Sequence, residues 1–202
     1  MSLSEEEKAG IGVALNEANL ISLDFRPERK SIVATFEVIC ADDEGNIPEN
    51  RRVQLVFHPI GRIVASLRNG RWDDDKAEVI PFSKDKLLDI SQGVGSAPIY
   101  GWEFIDCDNK TFNSWKKRKS MEFLSEDEIG FEHTIDLFQE GEKHLDIRIW
   151  FDEVQVFNSE GKEIDLHDFI IHGKNGWDSI YSGDRNAQAA FSIIPLKRED
   201  ND

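Results

Sequence analysis

Phe131-Glu132-His133-Thr134-Ile135-Asp136-Leu137-Phe138-Gln139-Glu140-Gly141-Glu142-Lys143-His144-Leu145-Asp146-Ile147-Arg148-Ile149-Trp150-Phe151 decides the fold class. Phe131, His133, Ile135 and Leu137 fall on one face of an extended chain, and Leu145, Ile147, Ile149 and Phe151 on one face of the next. A period of two over runs of this length predicts two half-buried strands. Residues directly opposite each other in an antiparallel pair share a face, so the register must place Leu137 against Ile147 and Ile135 against Ile149, with a five-residue loop around Glu140-Gly141-Glu142. The other face is then set: Asp136 stands opposite Arg148, Thr134 opposite Trp150, and Glu132 opposite Asp152. The first pair compensates, and the last is expected to repel.

Working outward, the apolar phase flips to Val154 and Val156, which predicts a bulge near Asp152-Glu153. Ser159-Glu160-Gly161 then reads as a three-residue hairpin loop with Gly161 left-handed. Glu163, Asp165 and His167 continue the alternation as strand, and Ala189, Phe191 and Ile193 read as a last strand. Toward the N-terminus, Ile21 to Phe25 and Ile32 to Cys40 form a hairpin about Pro27 to Lys30. Val53 to Phe57 and Ile63 to Leu67 read as another hairpin about the turn His58-Pro59-Ile60-Gly61. Ile99 to Asp106 is a further strand. Residues 4–19, 83–90 and 109–118 read as short helices, Ser83 being a cap for the second. The expectation is a mainly β chain: a single-domain antiparallel β-sandwich or open barrel with a few short helices, spanning residues 1–202, with 1–19 a frayed helical segment.

Thirteen Phe and five Trp supply enough apolar area for a packed core, which excludes a disordered acidic chain. Cys40 and Cys107 are the only cysteines, too few for a secreted disulfide scaffold, and Cys40 reads as a buried thiol. The N-terminus has no basic or apolar leader pattern and no run approaches the length of a membrane span, so a cytoplasmic location is expected. The formal net charge of −16 disfavours nucleic acid and anionic membranes as partners, since both reward neutralisation of phosphates by Lys and Arg. Ser120 to Asp184 carries seventeen Asp and Glu against four Lys and Arg, so the imbalance is concentrated there.

No phosphate-binding Gly loop, nucleophile elbow, Cys-x-x-Cys or His-Glu-x-x-His motif is present, and no catalytic residue or cofactor is expected. Asp42 to Asn46 has the composition of a calcium loop, but the Gly such a loop requires would fall on Ile47, so it reads as a turn. The weak metal candidate is Glu163, Asp165 and His167, which strand alternation would put on one face, with His172 beyond. His133 reads as a core histidine and His58 as a turn residue. Tyr100, Trp102 and Phe104 share a face; with Glu103 beside them, Tyr100 and Trp102 form the candidate carbohydrate-stacking platform, the competing reading being core. Glu103 and Asp106 fall on opposite faces, which works against a paired-carboxylate hydrolase. Lys116 to Lys119 is a basic block read as solvated.

Gly61-Arg62-Ile63 through Ala65-Ser66-Leu67-Arg68-Asn69-Gly70-Arg71-Trp72-Asp73, followed by Pro98-Ile99-Tyr100-Gly101-Trp102-Glu103-Phe104-Ile105-Asp106, resembles a group of bacterial proteins of unassigned function. It covers about a quarter of the chain. The resemblance implies a bacterial source and carries no activity.

The expected function is a non-catalytic, immunity-type acidic module that binds or neutralises a basic protein. Its partner face would be Glu132, Asp136, Asp146, Trp150 and Asp152, with an exposed Trp150 as aromatic anchor among carboxylates. The alternatives are a carbohydrate-binding or carbohydrate-processing sandwich through Tyr100, Trp102 and Glu103, and a metal-dependent enzyme around Asp165 and His167. The sequence carries no signal for an oligomeric state.

Overall fold

The computed structural model describes residues 3–71, 73–74, 76–94, 101–106, 112–113, 115–123 and 131–193, with 101 and 102 described in the backbone only. Among the described residues, nine antiparallel strands form one open sheet: β1 (Asn19–Arg26), β2 (Ser31–Glu37), β3 (Arg52–Asn69), β4 (Glu78–Val79), β5 (Gly101–Phe104), β6 (Met121–Phe123), β7 (His133–Glu140), β8 (His144–Asn158) and β9 (Glu163–Ile164). The order is β1-β2-β3-β8-β7-β5; β4 and β6 attach to β3, and β9 to β8. The helices are α1 (Glu5–Ala14), α2 (Leu87–Gly93), α3 (Leu166–Tyr181) and α4 (Arg185–Phe191). The chain is therefore mainly β, as its period-two runs imply.

The deciding hairpin has the register its apolar residues demand: Leu137 faces Ile147, Ile135 faces Ile149, Asp136 faces Arg148 and Thr134 faces Trp150. The ladder continues to Glu140 opposite His144, so the loop is only Gly141 to Lys143 and not five residues. At the expected Glu132–Asp152 position the backbone N–H of Glu132 donates to Asp152 Oδ1 at 3.0 Å. Gly161 takes a φ of +77° and closes the loop that returns Asn158 to Lys162, as its position predicts.

Four readings need correction. Residues 52–69 are one strand, not a hairpin: β3 runs beside β8 from Val53 opposite Asn158 to Arg68 opposite His144. Its other edge changes partner, from β2 at residues 52–57 to β6 at 63–65. Between those two partners Ile60 N donates to Lys30 O at 2.7 Å, and on the other side His58 and Ile60 stay paired with β8 to either side of Pro59. The bulge predicted at Asp152-Glu153 lies instead on β3, where the register shifts between Ile60 and Arg62 opposite Phe151 and Trp150. Gly61 provides it, and the Phe131 ring occupies the space a Cβ would need.

The strand reading of Glu163 to His167 holds for two residues only, because Asp165 accepts from His167 N at 2.8 Å and caps α3. Leu166, Phe169, Ile170, Gly173, Trp177 and Ile180 then recur at helical spacing. Ala189 to Phe191 belong to α4, capped by Asp184, so the expected last strand is a helix. On α3, Gly173 lets the backbone of Ala14 on α1 approach, with Ala14 Cα only 2.6 Å from where a Cβ would sit.

The main core lies between one face of the sheet and α1 and α3, joining Ile11, Leu15, Phe36, Leu55, Ile63, Ile135, Leu145, Ile149, Phe151 and Phe169. Ser4 and Glu7 close a capping box on α1, giving the N-terminal segment a defined start. The opposite face of β3 and β8 carries a separate cluster, Val64, Trp150, Phe112 and Trp115. Beyond β2, Cys40 is a half-buried free thiol whose pKa burial pushes up to about 11. Asp42 Oδ1 accepts from the N–H groups of Glu44 and Asn46, so Asp42 to Asn46 is a self-bonded turn.

Candidate functional site

Strand alternation sends Asp136, Phe138, His144, Asp146, Arg148 and Arg68 to the face away from the helices, where they meet on adjacent strands β7, β8 and β3. With Glu103 of β5, Glu140 at the end of β7, and Trp115 and Arg118 from the segment over this face, they enclose a cavity of about 380 Å³. Charged side chains alternate in sign across it. Arg148 Nε donates to Asp136 Oδ2 at 2.9 Å, and its guanidinium lies over the Trp115 ring at 4.3 Å. His144 Nε2 is 2.8 Å from Asp146 Oδ1, and Arg68 Nη2 is 3.7 Å from Asp146 Oδ2. Arg68, only 2% exposed, also donates through Nη1 to the Asp74 carbonyl at 3.2 Å.

Asp136 and His144 each leave one buried polar atom, Oδ1 and Nδ1, without a hydrogen-bond partner among the described residues. Asp136 is itself buried. Burial raises its pKa most, Arg148 pulls it down, and Asp146 and Glu103 push it up again, so that it stands at about 7. The rise follows from burying a carboxyl beside two other carboxylates with a single guanidinium bonded to it. The cavity mouth keeps Glu103 and Glu140 exposed.

The expected partner face is divided by the structure. Asp136 and Asp146 lie together in the cavity, but Glu132 is exposed and Asp152 half-buried at the far end of the hairpin. Trp150 is not an exposed anchor: it is 7% exposed, packed edge-on to Phe112 with ring centroids 5.2 Å apart. Arg62 lies over the Phe112 and Trp150 rings at 4.3 and 5.6 Å. Sequence alternation gives the face of a side chain, and not whether a distant segment covers that face.

Of the stacking platform, Tyr100 lies outside the described residues, and Trp102 is placed by its backbone opposite Leu137. Phe104, on the same alternation, packs against His133 and Phe151 at 6.2 and 6.3 Å, in contact with the main core. Glu103 instead reaches the charged cavity. Asp106, just past β5, accepts from Lys8 Nζ at 2.6 Å and Thr134 N at 3.1 Å; burial raises its pKa, yet these two donors carry it below the usual value. His133 is buried, and its Nε2 accepts from Leu3 N at 3.1 Å, a core histidine as read. His58 stands on β3 and not in a turn, its Nε2 3.7 Å from Glu153.

Glu163, Asp165 and His167 are not presented on one strand face, because the Asp165 carboxylate is spent on the α3 N-terminus and Glu163 accepts from Gln155 Nε2 at 3.4 Å. Within the basic block, Lys116 and Lys117 are exposed, Lys119 pairs with Glu122, and Arg118 turns into the cavity wall. Sequence reasoning missed Arg68, Arg118, Arg148 and His144 as site residues. The one legible signal was that Arg148 must face Asp136.

Among the described residues no helix is long and apolar enough to cross a membrane. No family model, curated protein or solved structure matches the chain.

Proposed function

We propose that this chain is a non-catalytic binding module that docks a basic protein on its acidic surface. The observation that carries this reading is the distribution of charge. The net charge is −16, Asp136 and Asp146 in the cavity stand beside Arg148 and Arg68, and many of the other acids among the described residues are exposed. Glu132, Glu140, Glu142, Glu153, Glu160, Glu163, Asp165 and Asp168 are all exposed. Carboxylates in that number steer a cationic surface and repel an anionic one. The exposed acids at the start of α1 extend the same field, and Asp165 lies close enough to Glu7 to raise its proton affinity, against the stronger lowering by Ser4.

The loss of Trp150 as an anchor moves the weight of recognition from an aromatic hot spot to charge. Titration of the full chain with an oligolysine peptide tests this, with oligoglutamate as control. A saturable one-to-one complex that weakens at least about tenfold between about 50 and about 300 mM salt is expected. No complex at low salt, or one indifferent to salt, contradicts the reading.

A further inference from the structure

We propose that the groove on the solvent side of α1 and α3 binds a second copy of this chain, so that two copies pair across it about a two-fold axis. This surface is separate from the charged cavity and from the exposed carboxylates that a basic partner would meet.

The groove holds about 470 Å³. From α1 it takes Ala9, Gly12 and Val13, and from α3 it takes Lys174, Trp177, Asp178 and Tyr181. Within each helix that spacing is one face. It is not the face turned into the core, to which α1 gives Ile11 and Ala14, and α3 gives Phe169 and Ile180. Val13 and Tyr181, 40% and 67% exposed, are the large apolar side chains that stand exposed among the described residues, and both line this groove. Exposed apolar side chains gathered in one concave place mark an interaction surface, whereas single scattered ones do not. Tyr181 stacks on Trp177 with ring centroids 5.7 Å apart, and Trp177 Nε1 donates to the Val13 carbonyl at 3.1 Å. The aromatic pair is thus already held in place, and little ordering is left to be done on binding.

Charge selects the occupant. The chain carries −16, yet the charged residues that line the groove, among those described, are Lys174 and Asp178, which cancel. A basic partner gains nothing by preferring this face. Lys174 and Asp178 stand one turn apart on α3, and among the described residues neither is paired with the other or with a third group. A two-fold axis that lies in the plane of contact and crosses α3 between them sets α3 antiparallel to its copy. Lys174 of each chain then meets Asp178 of the other, which is the self-complementarity an isologous contact requires. Because Trp177 reaches the Val13 carbonyl, the Gly12-Val13 turn of α1 is level with this part of α3 and meets its own copy near the same axis. Ala9 and Gly12 have no bulk to hold the two α1 helices apart.

The size of the face sets the expected strength. With 10 residues in α1 and 16 in α3, the two helices side by side present a face of roughly 20 by 20 Å. With side-chain relief this is about 500–800 Å² of accessible area per copy, the small end of stable interfaces, so a dissociation constant on the order of 10–100 µM is expected. The acidic surplus outside the groove, including Glu5 and Glu6 at the start of α1, repels one copy from another, and salt screens that repulsion. Pairing of copies should therefore tighten with salt, the opposite sign to the binding of a basic partner.

Sedimentation equilibrium of the full chain from about 5 to about 500 µM, at about 50 and about 300 mM salt, tests the proposal. A monomer–dimer equilibrium with no larger species is expected, tighter at the higher salt. Tyr181→Ser should weaken it by at least about tenfold. Lys174→Asp and Asp178→Lys each set like charges against one another across the axis and should each weaken it by about threefold or more, whereas the double variant should return to within about twofold of the wild type. These side chains are exposed, and if the variants nevertheless fail to fold, isotope-filtered NMR of mixed labelled and unlabelled wild type decides the matter: Val13 methyl contacts between copies must appear. A chain that stays monomeric at about 500 µM and about 300 mM salt overturns the proposal. So does a dimer indifferent to Tyr181→Ser, or a double charge exchange no tighter than the single ones. Oligolysine that shifts the Val13 and Tyr181 resonances of a monomeric chain would give the groove to a basic partner instead and overturn it equally.

Discussion

Asp136 and Arg148 stand directly opposite each other on β7 and β8, and Arg148 Nε donates to Asp136 Oδ2 at 2.9 Å with both side chains nearly buried. Removing one partner of such a pair leaves a desolvated charge, so Arg148→Ala should cost about 3–5 kcal/mol above pH 7. Below that pH the cost should shrink, because Asp136 can take up a proton instead. Replacing both, as Asp136→Leu with Arg148→Met, should cost far less than the sum of the single changes. Urea titrations at both pH values measure this, and an additive double variant would contradict the coupling.

The same carboxyl links folding to pH. The folded pKa of Asp136, about 7, lies above its ordinary value of 3.8. The native state therefore holds a proton that the unfolded chain has released. The stability contributed by this group is full below about pH 4 and is lost as pH rises through about 7. The gap in unfolding free energy between wild type and Asp136→Asn should accordingly move against the wild type by on the order of a few kcal/mol from pH 4 to pH 8. A gap that does not change with pH would refute it.

Trp150 is a core residue of the second cluster, beneath Phe112 and Trp115. Trp150→Ala should destabilise the chain by about 3–5 kcal/mol in chemical denaturation. A loss under about 1 kcal/mol would mean that the cover is not in place.

Gly61→Ala should cost about 1–3 kcal/mol, since the new methyl would fall within the Phe131 ring and must push it aside. In a Phe131→Ala background the same change should be nearly neutral. A double-mutant cycle reads the difference, and equal costs in both backgrounds would place the strain elsewhere.

The β7–β8 register was legible because unbroken alternation on both strands leaves only one pairing with a shared apolar face. The single strand β3 was not legible. His58-Pro59-Ile60-Gly61 has turn chemistry, and that β3 runs on through it beside β8 while its other edge exchanges β2 for β6 is a tertiary fact no local pattern carries. Helix α3 was missed for a different reason: Glu163 to His167 alternates for five residues, whereas the helical spacing begins at Leu166 and needs Phe169, Ile170 and Gly173 before it shows. The cavity was legible in one pair, Asp136 with Arg148. Arg68 and Trp115 lie tens of residues away in sequence and join it only because β3 lies beside β8 and the segment before β6 folds over that face.

The most direct test of the basic-partner account is ¹³C-carboxyl NMR of the full chain during oligolysine titration. The account predicts that resonances of exposed carboxylates, Glu132, Glu140, Glu142, Glu153 and Glu160, shift saturably with oligolysine and shift less as salt is raised. If no carboxyl resonance in the chain responds at low salt, the chain does not bind basic partners by its acidic surface at all.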